Sequence, residues 1–95
     1  MRLFVDDCRS APKGWAVART VAEAVSALSK GGVVEVSLDY CIGEGPGETF
    51  LEVARFIAEL PSARRPRRVR LHTASEAGAD RMAEILRGRV DELVR

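Results

Sequence analysis

The chain has 95 residues, 46% of them hydrophobic and 31% charged, which suits one domain with one core and excludes a disordered chain or a second domain of ordinary size. Fifteen basic residues stand against fourteen acidic ones, a net charge of +1, so no overall field recruits nucleic acid or an anionic membrane and any such contact needs a local patch. No apolar run approaches the roughly 18 residues of a spanning helix, Met1 to Asp7 does not read as a signal peptide, and two cysteines are too few for a disulfide framework. The expectation is a single cytoplasmic domain over residues 1–95, without a membrane partner and with free thiols at Cys8 and Cys41.

Taken in order, Arg2 to Val5 is a strand candidate whose run Leu3-Phe4-Val5 lacks alternation, as in a central strand covered on both faces. Asp6 to Gly14 has no helical period and reads as a loop. Nine extended residues reach about 30 Å, enough to return past a short strand, so Trp15 to Arg19 is allowed as a second strand of undetermined direction. Thr20 with Glu23 three residues later is a capping box, and Val21, Ala24, Val25 and Leu28 fall at helical spacing before Gly31 and Gly32 stop the helix. Val33 to Leu38 is a buried strand ending at Asp39.

Gly43, Gly45 and Gly47 with Pro46 make a loop able to approach a ligand closely, although no P-loop pattern is present. From Thr49 a second helix carries Phe50, Val53, Ala54, Ile57 and Leu60 on one stripe and ends before Pro61. Ser62 to Arg70 holds five arginines but no aromatic residue to stack a base, and reads as solvated surface. Val69 and Leu71 alternate with Arg68, Arg70 and His72 as in an edge strand with one wet face. Ser75 is a candidate N-cap for a last helix through Met82, Ile85, Leu86, Val90 and Leu93, with Gly88 as a possible break.

Strand, loop, strand, helix, strand, helix, strand, helix favours a mainly parallel sheet flanked by about three helices. With four strands in the order 2-1-3-4, Asp6, Asp7, Asp39, His72 and Thr73 gather at one set of strand ends, where open α/β sheets place their sites. Crowded carboxylates call for a compensating cation, and a hard ion with oxygen ligands, Mg2+, fits best, held by Asp6, Asp7 and Asp39. Beside a phosphate, His72 could act as general acid or base and Thr73 could hold phosphoryl oxygens. Arg9 could clamp the phosphate with its guanidinium fork. A zinc site of Cys8, Cys41, His72 and a carboxylate would lack the usual Cys-x-x-Cys pair and draw its ligands from separate loops.

Phe4-Val5-Asp6-Asp7 with Arg9, Val36-Ser37-Leu38-Asp39, and Leu71-His72-Thr73-Ala74 followed by Gly78 and Met82 resemble the cyclic-phosphate processing receiver-like domains, relatives of response-regulator receivers. The resemblance implies a truncated receiver-like, flavodoxin-like α/β fold. It makes Asp6 and Asp7 the acidic pair that holds magnesium, Asp39 the phospho-accepting position and Thr73 the hydroxyl residue after the fourth strand. It implies processing of cyclic phosphates in nucleotides or RNA ends, so the expected partner is a phosphate-containing small molecule or a nucleic-acid end. The fifth strand of receivers and its lysine are expected to have no counterpart. That would leave a sheet edge open to a second copy or a protein partner, and it favours a phosphoesterase over a phosphoswitch. The alternative is an inactive or phospho-accepting signalling module.

Overall fold

The computed structural model describes residues 1–43 and 47–95, and these form five strands and three α-helices. In chain order they are β1 (Arg2–Val5), β2 (Ala16–Ala18), α1 (Val21–Lys30), β3 (Glu35–Leu38), α2 (Leu51–Glu59), a 3-10 turn (Ser62–Arg64), β4 (Arg68–Leu71), α3 (Glu76–Leu86) and β5 (Glu92–Val94). The sheet order is β2-β1-β3-β4-β5 and every neighbouring pair is parallel, the doubly wound order of flavodoxin-like sheets.

Local chemistry sets the boundaries. The Thr20 hydroxyl accepts from Glu23 N at 3.1 Å and Glu23 Oε1 in turn accepts from Arg19 N, which satisfies two donors around the start of α1. Gly31, at φ 81°, ends that helix. Ser75 caps α3 through Gly78 N at 3.0 Å.

Two expectations about the end of the chain are corrected. The periodic run continues to Leu93 in the sequence, but α3 ends at Leu86, and Gly88 at φ 76° turns the chain into β5. Val90 and Leu93 do pack against the core, one of them from the turn and the other from a strand. The sheet therefore has five strands, not four, and the β4 edge expected to lie open is paired with β5 through Arg68↔Glu92, Val69↔Leu93 and Arg70↔Val94.

One face of the sheet meets the helices. Leu3, Val5, Val36, Leu38, Val69 and Leu71 share a core with Ala24, Leu28, Val53, Ile57, Met82 and Leu86 from the three helices. Right-handed crossovers from β2 to β3, β3 to β4 and β4 to β5 all pass on the same side, whereas β1 to β2 runs the opposite way and carries no helix. Among the described residues no helix covers the second face. Arg2, Glu35, Arg68 and Glu92 are in register across four strands there, and Glu35 bridges Arg2 at 3.6 Å and Arg68 at 3.7 Å, while Arg68 also reaches Glu92. This explains two misreadings. The wet face of β4 belongs to the whole sheet and does not mark an edge, and Phe4, on the same face, is buried by the His72 ring stacked on it at 4.7 Å, not by a second helical layer.

Candidate functional site at the carboxyl ends of the strands

Parallel register sets the site. Val5 pairs with Leu38 and Leu38 with Leu71, so the next residues, Asp6, Asp39 and His72, leave the sheet side by side. Asp39 N donates to Val5 O and His72 N to Leu38 O, both at 3.0 Å, which carries the ladder one residue past the strands.

Asp6 is fully buried and almost completely occupied. Its Oδ1 accepts from the backbone N–H of Cys8 and of Arg9, each at 2.9 Å, and its Oδ2 lies 2.9 Å from His72 Nε2. Burial pushes this carboxyl up, but the backbone donors of Arg9 and Cys8 and the His72 ring outweigh it and hold the group below its ordinary value. An ionised carboxylate only accepts, so Nε2–H donates, and in the neutral ring Nδ1 accepts from the Ser37 hydroxyl at 2.7 Å. A chain Ser37–His72–Asp6 results, with the imidazole stacked on Phe4.

The remaining site residues face an open cavity of about 350 Å³, lined by Asp7, Arg9, Asp39 and Thr73 together with Cys8 and Cys41. Asp7 Oδ2 accepts from Gly43 N at 2.8 Å, tying the loop after β1 to the loop after β3. Asp39 is buried apart from its opening to the cavity and accepts from Tyr40 N through Oδ1. Among the described residues its other oxygen has no protein donor. Arg9 Nη1 donates to His72 O at 3.0 Å, and Arg19 donates to the carbonyls of Asp6 and Arg9, so the first loop is braced despite lacking a helix. The Asp7 carboxylate, with burial and Asp6, pushes the Cys8 thiol up.

The structure thus gathers Asp7, Arg9, Asp39 and Thr73 around one space, sets Asp6 directly behind it and leaves His72 outside the cavity lining. Among the described residues two groups bring carboxylate, imidazole or thiol ligand atoms within 4.8 Å of one another: Asp6, Asp7 and Cys8, and Asp6, Asp39 and His72. The expected metal trio is therefore divided between two overlapping groups that share Asp6. Cys41 lines the cavity but joins neither group, so the zinc quartet is not assembled. Gly45 and Pro46 of the glycine loop lie outside the described residues. Ser37 and Arg19, which hydrogen-bond to the site residues, are the ones that the sequence did not single out individually. Ser37 could have been suspected as the one polar side chain pointing to the second face between Val36 and Leu38, whereas Arg19 gave no signal.

The family model of the cyclic-phosphate processing receiver domain matches residues 1–88. The chain belongs to this family. No curated protein matches it. Among solved structures, the response regulator domain of Thermotoga maritima CheB aligns over 98% of this receiver domain and 75% of its own chain, with a TM-score of 0.57 and 22% identity, a likeness of fold. The family match stops before β5, and β5 of this receiver domain, Glu92-Leu93-Val94, contains no lysine. Among the described residues no helix is long and apolar enough to cross a membrane.

Proposed function

We propose that this domain handles a phosphoryl group with the help of a divalent cation, and that its reaction is the opening of a cyclic phosphate on a nucleotide or an RNA end. One observation carries the reading: Asp7, Asp39, Arg9 and Thr73 line one cavity at the carboxyl ends of β1, β3 and β4. The lining is rich in oxygen donors and Asp39 keeps an oxygen free, which suits Mg2+ held at Asp39; Asp7, whose ligand atoms group with Asp6 and not with Asp39, would have to close on it. Such an ion supplies charge neutralisation of the phosphoryl oxygens and acidifies a bound water.

The chain's own residues do the rest. Arg9, braced by His72 O and Asp6, and Thr73, whose hydroxyl accepts from Ser75 N, both line the cavity and would position the phosphate. His72 holds Asp6 ionised and oriented; it becomes a general acid only when Nε2 leaves Asp6. The test is hydrolysis of 2′,3′-cyclic nucleotides. Turnover should require Mg2+, stop with chelator, and fall by roughly 10²-fold or more in Asp39→Asn. Equal turnover by that variant would remove the proposal. The alternative, a phospho-accepting module, predicts instead that a small phosphodonor adds one phosphoryl mass to the wild type and none to Asp39→Asn.

A further inference from the structure

The arginine run read as solvated surface is organised by the fold. Arg55 comes from α2, Arg64 and Arg65 from the 3-10 turn and its end, Arg67 from the entry to β4, and Arg89 from the turn between α3 and β5. They converge on three adjoining concavities. One, of about 310 Å³, holds Ser62, Arg65, Arg67, Arg89 and Asp91. The second adds Arg55 and Glu59 beside Arg65 and Arg89, and the third adds Arg64 beside Arg65 and Arg67. Arg65 belongs to all three.

Five arginines less three carboxylates, Glu59 and Asp91 in the lining and Glu52 paired with Arg55, leave a local excess of +2, in a chain whose total is +1. Arg55 pairs with Glu52 and Arg67 with Asp91, while Arg64 donates to Ser29 O. Among the described residues neither Arg65 nor Arg89 meets a carboxylate; Arg65 Nη1 donates to Arg89 O at 3.5 Å, and its Nε is covered by protein. Guanidinium forks match phosphate oxygens two by two. No aromatic side chain lines any of the three concavities, so nothing there stacks a base.

The geometry points to a second phosphate site at the amino ends of β4 and β5, which takes the phosphodiester backbone of a single-stranded nucleic acid without reading its bases. Three concavities joined through one arginine suit phosphates spaced along a chain. The site lies at the opposite end of the strands from Asp39 and does not depend on the reaction proposed there.

Fluorescence anisotropy with a labelled 12-nucleotide oligouridylate, over a series of sodium chloride concentrations, tests it. If Arg65, Arg67 and Arg89 each neutralise one phosphate, log K against log salt should have a slope of about −2, at roughly 0.7 per contact. Arg89→Ala and Arg67→Ala, both at exposed positions, should each weaken binding and reduce the slope by about 0.7. Arg81→Ala, exposed on α3, should change neither. Oligothymidylate of the same length should bind within about threefold of the RNA, because only the backbone is held. The proposal is overturned by absent binding at the lowest salt, by an oligoglutamate of equal charge binding as well, by a strong preference for one sugar, or by an Arg67→Ala, Arg89→Ala double variant that keeps full affinity.

Discussion

At the scale of single residues, the Asp6 to His72 contact decides what each of them can do. A carboxylate that accepts two backbone N–H groups and one imidazole N–H has little left to offer a substrate, whereas Asp39 does. Replacing His72 with Ala should strip a buried carboxylate of one donor and the Phe4 ring of its cover, destabilising the fold by about 1–3 kcal/mol in urea unfolding. The pH dependence follows from the sign of the Asp6 shift. Its carboxyl is held below its ordinary value in the folded state, so its contribution is fully present above the unfolded value near 4 and is lost as pH falls through the folded one. Acid unfolding of metal-free wild type should therefore begin below about pH 4, and Asp6→Asn should be less stable at neutral pH with a flatter acid limb, a pattern read from melting midpoints across pH.

At the scale of elements, Gly78 shows how a helix can be shaped by the loop packed on it. A Cβ at this position in α3 would lie 2.3 Å from Tyr40 Cδ2 and Cγ and 2.9 Å from its Cβ. An alanine in an exposed helix interior normally gains up to about 1 kcal/mol over glycine, but here the whole Tyr40 side chain, next to Asp39, would have to move. Gly78→Ala should therefore lower stability by about 1–3 kcal/mol, as overpacking does, and the thermal midpoint should fall. A raised midpoint would show that Tyr40 has another place to go. The sequence contained Gly78 and Tyr40 as separate letters, 38 positions apart, and no local rule joins them.

At the scale of the molecule, the absent helix between β1 and β2 leaves the second sheet face without a helical layer, and where that face meets water the charges of Arg2, Glu35, Arg68 and Glu92 make the exposure tolerable. It is the same role that polar outward residues play in sheets with one solvated face. β5 protects the β4 edge with three ladder partners. Truncation after Arg87 should free that edge and withdraw Val90 and Leu93 from the core, giving a less stable protein that self-associates, as size measurement by light scattering would show. A truncated chain that stays monomeric and equally stable would deny β5 this protective role.

Most of the architecture was legible in the sequence. Apolar runs closed by aspartates located β1 and β3, the Thr20 and Ser75 caps located the helix starts, and the motifs around Asp6, Asp39 and Thr73 placed those residues at strand ends, because each signal is local and has a local cause. What tertiary structure alone decided was the fate of residues whose partners are remote. Leu93 satisfies a helical spacing and a strand pairing equally well, and only Val69 across the ladder selected the strand. His72 could have faced the cavity, but Ser37, Asp6 and Phe4, contributed by two other strands, turned it away. Arg65 looked like one more surface charge until the packing of α2, the 3-10 turn and the α3–β5 turn buried its Nε among other arginines, since electrostatic context depends on which chain segments meet and not on their order.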